Sequence, residues 1–115
     1  MSKSGVTCHV LDTSRGRPAA GVRVRLERRD AAQNWLGVGQ AETNADGRIV
    51  GFEPPLELTP GEHRVSFDTA SYFARQGQPI FYPRVEVTFL VASAAEHYHI
   101  PLLLSPFGYS TYRGS

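Results

Sequence analysis

Histidines are the residues of this 115-residue sequence best suited to move protons near neutral pH. His9 lies in a stretch where Cys8 and Val10 alternate with it, so on a strand it faces away from them. If Cys8 and Val10 face the core, His9 faces outward with Thr7 and Leu11. The pattern therefore predicts an outward-facing imidazole on the first strand.

The other three histidines differ in their surroundings. His97 and His99 are two residues apart, so on a strand they share a face. His63 lies beside a predicted loop and has no companion, so we interpret it as a surface histidine or one held by a local hydrogen bond. A zinc site made by His97, His99 and His9 is an alternative, since catalytic zinc usually has three protein ligands. No acidic or cysteine ligand stands clearly nearby, and we favour metal-free chemistry.

The elements that must position these side chains are mostly strands. Apolar and polar residues alternate with a period of two, and Gly- and Pro-rich turns interrupt the alternation about every ten residues. One helix is expected, capped by Asp68 or Thr69 and ended by Gly77. The predicted strands are 6–11, 22–27, 35–42, 48–52, 63–67, 84–92, 96–104 and 109–113, and the predicted helix is 68–76. This pattern is typical of an all-β, eight-stranded sandwich that forms a single domain over residues 1–115.

Composition excludes several classes of protein. The net charge is +1 with both signs interleaved, which lacks the basic stripe of a nucleic-acid-binding protein. The apolar runs are too short to cross a membrane. Cys8 is the only cysteine, so no internal disulfide can form, which fits a reducing compartment. With no apolar stretch in the first residues, we expect a cytoplasmic protein.

Three segments resemble a known family. The first, Cys-His-Val-Leu-Asp-Thr at 8–13 followed by Gly-Arg-Pro-Ala at 16–19, is similar to the first strand and loop of the transthyretin family. The second is Thr-Asn-Ala-Asp-Gly-Arg at 43–48. The third, at 97–115, resembles the signature of the 5-hydroxyisourate hydrolases of that family and includes their terminal Tyr-Arg-Gly-Ser.

This resemblance implies a transthyretin-like β-sandwich that assembles as a homotetramer, a dimer of dimers. Dimers would form by pairing of strand edges, and the active sites would lie in a channel between the two dimers. The site residues carried over from the family are His9, Arg48, His99 and Ser115 as catalytic, and Tyr112, Arg113 and Gly114 as substrate-binding. His97 shares their face and is a weaker candidate.

The implied reaction is hydrolytic opening of the six-membered ring of 5-hydroxyisourate in urate breakdown. His9 is expected to act as base or proton shuttle with His99 as its partner, and these two roles are interchangeable at this point. Arg48 would bind carbonyl groups or the developing oxyanion. Ser115 and the terminal backbone would close the pocket, with Tyr112 at its wall. Neither a metal nor an organic cofactor is expected.

Two non-enzymatic functions are alternatives. Transthyretin itself is a small-molecule carrier, and one fold supports both functions. A carrier of an apolar hormone calls for aliphatic and small polar groups along its channel, whereas this sequence supplies imidazoles and a guanidinium. An adhesion or carbohydrate-binding module would instead present an aromatic platform, for which Trp35 and the tyrosines show no readable grouping.

Overall fold

Two sheets pack face to face in the computed structural model, which describes residues 5–115. One sheet has five strands, namely β1 (Val6–Asp12), β2 (Arg17–Pro18), β5 (Arg48–Ile49), β8 (Tyr98–Ser105) and β9 (Gly108–Thr111). The other has four, namely β3 (Arg23–Arg29), β4 (Trp35–Glu42), β6 (Gly61–Phe67) and β7 (Val85–Val91). The helix α1 (Thr69–Arg75) connects β6 to β7. The predicted all-β sandwich with one short helix is confirmed.

Strand order leaves two edges close together. The five-stranded sheet runs β2-β1-β8-β9, with β5 also paired to β1, and the four-stranded sheet runs β4-β3-β6-β7. The strands β1 and β8 pair in parallel, and the other named pairs are antiparallel. The edge strands β7 and β9 contribute residues to a common groove.

The core lies between the two sheets and follows the alternation in the sequence. On β1, Val6, Cys8 and Val10 are buried, while the intervening residues are half-buried. The other sheet presents Val24, Leu26 and Phe67 to the same core. The outer face of the five-stranded sheet is therefore free to carry polar side chains.

The residues predicted to begin and end the helix α1 do so in the structure. The side chain of Asp68 accepts a hydrogen bond from the backbone N–H of Ser71, which makes Asp68 the N-cap. Gly77 follows the helix with a φ of 65°, a conformation that favours glycine. Within residues 5–115, no helix has the length and apolar character needed to cross a membrane.

Two differences from the sequence prediction concern short strands. The predicted loop over 14–21 contains the two-residue strand β2, which pairs Pro18 with Leu11. The predicted strand over 48–52 is too long, since β5 ends at Ile49. After Ile49 the chain no longer pairs with β1 and crosses to the other sheet, where Glu53 forms a β-bridge with Gln40. A strand cannot continue in one sheet while its chain passes to the next.

Candidate active site

Parallel pairing of β1 with β8 brings the predicted site residues onto one face. The register sets Thr7 opposite His99 and His9 opposite Pro101. Because side chains alternate between the faces of a strand, Thr7 and His9 lie on the outer face, away from buried Cys8. Two segments separated by about 90 residues in the chain thus build one surface.

Arg48 joins this surface from β5. It pairs with His9 in antiparallel register, while its neighbour Ile49 is buried in the core. Arg48 is exposed, so its guanidinium is available to a ligand. The structure therefore brings together His9, Arg48 and His99, three of the residues predicted to be catalytic.

The conformation of the turn before Arg48 depends on two of its residues, Asn44 and Gly47. The Asn44 side-chain oxygen accepts hydrogen bonds from the backbone N–H groups of Asp46 and Arg48, at 2.9 and 3.0 Å. Gly47 has a φ of 73°, and a Cβ there would lie 2.4 Å from the carbonyl oxygen of Val10. The turn therefore holds Arg48 against β1 and tolerates only glycine at position 47.

His99 is half-buried, and its Nδ1 lies 2.7 Å from the hydroxyl oxygen of Thr7. Burial lowers the pKa of His99 below its usual value, and repulsion from Arg48, and from His9 and His97 when these are protonated, lowers it further. His99 is consequently neutral at pH 7 and can accept a proton. Its hydrogen bond occupies Nδ1 and leaves Nε2 for water or substrate.

His9 has a different arrangement. Its Nε2 lies 3.1 Å from the backbone carbonyl oxygen of Asp46. A carbonyl oxygen only accepts, so Nε2 carries the hydrogen and Nδ1 is the basic nitrogen of the neutral ring. His97 is exposed just before β8, with its Nε2 2.9 Å from the Thr7 hydroxyl oxygen.

The terminal segment crosses His99. The backbone N–H of Gly114 donates to the carbonyl oxygen of His99, at 2.9 Å, beyond the end of β9. A Cβ on Gly114 would lie 2.4 Å from Cδ2 of His99, so a side chain would collide with the ring. Ser115 follows directly and is exposed. Gly114 therefore lies beside His99, and Ser115 is the next residue in the chain.

Tyr112 and Arg113 point elsewhere. The Arg113 guanidinium donates to Glu96 at 3.2 Å and to the carbonyl oxygen of His97 at 3.1 Å, and it stacks on the ring of Tyr98. Tyr112 is exposed and lines a groove of about 280 Å³ between β7 and β9. Their predicted contact with substrate stays a prediction.

His63 and Cys8 are buried in the core. His63 is not a surface residue, because it alternates in phase with buried Val65 and Phe67 on β6. Its Nδ1 lies 3.0 Å from the carbonyl oxygen of Gly61, so the local hydrogen bond was predicted correctly and the exposure was not. Burial raises the pKa of the Cys8 thiol to about 12, which leaves it without nucleophilic character.

A broad surface cavity lies away from the histidines. It has a volume of about 740 Å³ and lies across the four-stranded sheet, where Arg23, Gln40 and Phe67 contribute to its wall. This cavity lies on the other sheet from His9 and His99, so it is not part of the site that they form. In the part of the chain from 5 to 115, no cluster of three or more His, Cys, Asp or Glu side chains could hold a metal ion.

Thr7 is the residue at this face to which the sequence assigned no function. The alternation of β1 set it on the outer face with His9, which was the available signal. Its contacts with two imidazoles depend on the register between β1 and β8. A pairing between segments 92 residues apart cannot be read from local spacing.

Comparisons with known proteins agree with this architecture. The profile of the HIUase/Transthyretin family matches residues 6–114. A Mus musculus protein named 5-hydroxyisourate hydrolase is 46% identical, with 97% of this chain and 96% of that protein covered. The structure of Klebsiella pneumoniae 5-hydroxyisourate hydrolase superposes with a TM-score of 0.82 at 36% identity, covering 99% and 100% of the two chains. Sea bream transthyretin in complex with thyroxine superposes with a TM-score of 0.87 at 31% identity, covering 96% and 94%.

Proposed function

Because this chain belongs to the HIUase/Transthyretin family, we propose that it is a hydrolase that opens the six-membered ring of 5-hydroxyisourate. The single observation that carries the proposal is the grouping of His9, Arg48 and His99 on one outer sheet face. Two imidazoles supply acid–base chemistry, and a guanidinium supplies a fixed positive charge. The whole chain, 1–115, serves as one hydrolase domain.

His99 is the better candidate for the base that takes a proton from water. Its pKa is held below the usual value by burial and by the neighbouring positive charges, so the ring is neutral and its Nε2 is free. The nucleophilic water attacks a ring carbonyl carbon as Nε2 accepts the water proton. His9, whose Nε2–H is engaged by the Asp46 carbonyl, contributes Nδ1 as an acceptor for a substrate N–H group.

Arg48 stabilises the charge that develops on the attacked carbonyl oxygen. Attack gives a tetrahedral intermediate with an oxyanion, and a guanidinium offers several N–H donors in a fixed plane. Collapse of the intermediate breaks the carbon–nitrogen bond of the ring, and the leaving nitrogen takes back the proton held by His99. In these reaction steps, protons move only between water, side chains and the substrate. The proposed mechanism therefore uses neither a metal nor an organic cofactor.

The site is completed by the terminal segment and by a second copy of the chain. Gly114 is hydrogen-bonded to the His99 carbonyl and Ser115 follows it directly, which supports a role for Ser115 in closing the pocket and holding water. The histidine face is open in one chain, while half-buried Leu11 and Leu103 beside it offer apolar contact area. We propose that two such faces meet in a homotetramer whose dimers form through the edges of β7 and β9.

The test is direct addition of the protein to freshly generated 5-hydroxyisourate, with ultraviolet absorbance followed against spontaneous decay in the presence of a chelator. The proposal expects accelerated decay that the chelator does not reduce. Decay at the spontaneous rate would contradict the hydrolase function. Loss of activity on exhaustive chelation with recovery on adding zinc would contradict the metal-free mechanism.

The alternative function is that of a non-catalytic carrier. The sea bream protein of the same fold is described in complex with thyroxine, so the architecture itself accommodates a carrier. Charged and titratable groups on the candidate face disfavour an apolar ligand, because burial of an unpaired charge against it is costly. Tight binding of thyroxine together with decay of 5-hydroxyisourate at its spontaneous rate would favour the carrier.

A further inference from the structure

One hydroxyl group touches two imidazoles at the edge of the candidate site. The Thr7 oxygen lies 2.7 Å from Nδ1 of His99 and 2.9 Å from Nε2 of His97. Both distances are within the normal range of hydrogen bonds. His97 is exposed to solvent, whereas His99 is half-buried beside Gly114. Thr7 therefore connects a histidine in bulk water with the histidine at the reacting side of the face.

The hydrogen bonds from His99 through Thr7 to His97 have a direction, which depends on which atoms carry hydrogen. A threonine hydroxyl has one hydrogen to donate and lone pairs to accept others, and a neutral imidazole carries hydrogen on only one nitrogen. When Thr7 donates to one ring, the nitrogen of the other ring can donate to Thr7. Two arrangements of opposite direction therefore exist, and they interconvert when two hydrogens move together.

We propose that Thr7 and His97 form a proton relay that sets the tautomer of His99 and exchanges its proton with solvent. Thr7 and His97 are thus positioning residues of the hydrolase site, and the inference rests on the proposed function. Nothing in the reaction requires either residue to touch the substrate.

The protons balance in each step of the relay. His99 begins with hydrogen on Nδ1 and takes the water proton at Nε2. The Nδ1 hydrogen passes to the Thr7 oxygen, and the Thr7 hydrogen passes to Nε2 of His97. His97, which began with hydrogen on Nδ1, releases that hydrogen to bulk water. His99 is left neutral with hydrogen on Nε2, and the reverse sequence restores it when that hydrogen goes to the leaving nitrogen.

The charges around the relay favour transfer away from His99. Arg48 on β5 faces His99 and disfavours a positive charge on it, as do His9 on β1 and His97 when either of them is protonated. The side chain of His97 is instead exposed to water. The residue before it is the acidic Glu96, which forms an ion pair with Arg113. Water stabilises a transient imidazolium on His97 better than the half-buried surroundings of His99 do.

The test separates the hydroxyl from the shape of the side chain. Thr7→Val removes the hydroxyl and keeps the volume, whereas Thr7→Ser keeps the hydroxyl. Thr59→Val is the matched control, because Thr59 is exposed in the loop before β6 and lies on neither the histidine face nor the β7 and β9 edges. We expect Thr7→Val to lower kcat about 10- to 100-fold with little change in KM, below the full loss of an acid–base group. Thr7→Ser and Thr59→Val should remain near the wild-type rate.

His97→Gln tests the outer member of the relay. Glutamine retains a donor toward Thr7 but does not titrate. We expect His97→Gln to lower kcat in the same way as Thr7→Val, and the double variant to be no slower than Thr7→Val alone, since the relay is already broken. Additive losses in the double variant, or wild-type kcat in Thr7→Val, would overturn the relay.

A readout without substrate keeps this inference distinct from the proposed function. The nitrogen chemical shifts of the His99 ring report its tautomer and protonation by nuclear magnetic resonance. We expect Thr7→Val to change the tautomer population of His99 and its titration curve, and Thr59→Val to change neither. Unchanged His99 shifts in Thr7→Val would overturn the relay even in an active enzyme. If the wild type does not accelerate the decay of 5-hydroxyisourate, the proposed function fails, and these shifts alone decide the relay.

Discussion

Gly114 and His99 are joined through their backbones, with the Gly114 N–H donating to the His99 carbonyl oxygen at 2.9 Å. The absence of a side chain at position 114 lets the segment lie against the imidazole, because a Cβ would come within 2.4 Å of Cδ2. The Tyr-Arg-Gly-Ser segment thus depends on its glycine for contact with the candidate base. This relationship makes residue 114 a sensitive position for activity.

We expect Gly114→Ala to lower kcat at least about tenfold, because either His99 or the terminal segment must move from its productive position. Thermal stability should change little, since the segment is at the surface. Gly51→Ala is the matched control, because a Cβ on Gly51 meets no atom within 4 Å. Steady-state rates and thermal melts of both variants provide the measurement. Normal turnover in Gly114→Ala would remove this contact from the mechanism.

Deletion of residues 113–115 should reduce turnover by roughly 100-fold. Without the terminal segment the pocket is open to bulk water, and the catalytic side chains are held less firmly in position. The fold should survive, as the deleted residues contribute no core side chain. Arg113→Gln in the full chain separates anchoring from cover, since Arg113 holds the segment through Glu96 and the His97 carbonyl. We expect its rate to fall between those of the wild type and the truncated protein. A truncated protein that is folded, tetrameric and fully active would remove the terminal segment from the active site.

Stability should fall as the pH is lowered from about 7.5 to 5.5. Burial and the charge of Arg28 lower the pKa of His63, against the opposing hydrogen bond to Gly61, and the pKa of His99 is lowered too. Their unfolded pKa is near 6.5, so below that pH the unfolded chain binds protons that the folded protein does not. The stabilisation is therefore complete above about pH 6.5 and is lost as the pH falls toward the folded pKa values.

Denaturant midpoints at fixed protein concentration measure this effect, because unfolding of an oligomer depends on concentration. His63→Gln should have a shallower dependence on pH than the wild type, since glutamine does not titrate. Equal dependence in the two proteins would mean that His63 does not couple folding to protonation. A wild-type midpoint that rises on acidification would have the opposite sign from the prediction.

Light scattering should give four times the chain mass of 12.7 kDa. Leu11→Glu places a charge beside the histidine face, at a half-buried apolar position, and should yield a dimer with little activity. Gln40→Glu, on the exposed face of the other sheet, should remain an active tetramer. An active wild-type monomer would contradict a site completed between chains.

Strand periodicity carried most of the fold information. Alternation at Cys8 and Val10 was enough to predict the outward direction of His9, and the glycine of the 44–47 turn has the positive φ expected of it. The same alternation at Val65 and Phe67 would have set His63 in the core, but its position beside a loop was given more weight. Periodicity thus predicts the face of a strand more reliably than proximity to a turn does.

Contacts between distant segments could not be predicted from spacing. The function of Thr7 depends on the parallel register with His99, and the fastening of Arg113 depends on Glu96 and Tyr98 lying under the terminal segment. The early end of β5 depends on the β-bridge that Glu53 forms with Gln40 in the other sheet. Each of these relationships is set by packing, which the local sequence does not encode by itself.

The most direct test of the account is the turnover of 5-hydroxyisourate by His9→Ala, Arg48→Ala and His99→Ala, measured against Arg23→Ala on the opposite sheet. We expect each of the three to lower kcat by about 10²–10⁴-fold, as for loss of an acid–base group or an oxyanion donor. Their melting temperatures should stay close to that of the wild type, and Arg23→Ala should keep its rate. Near-normal turnover in any of the three would contradict the function assigned to that residue, and normal turnover in all three would contradict a site on this face.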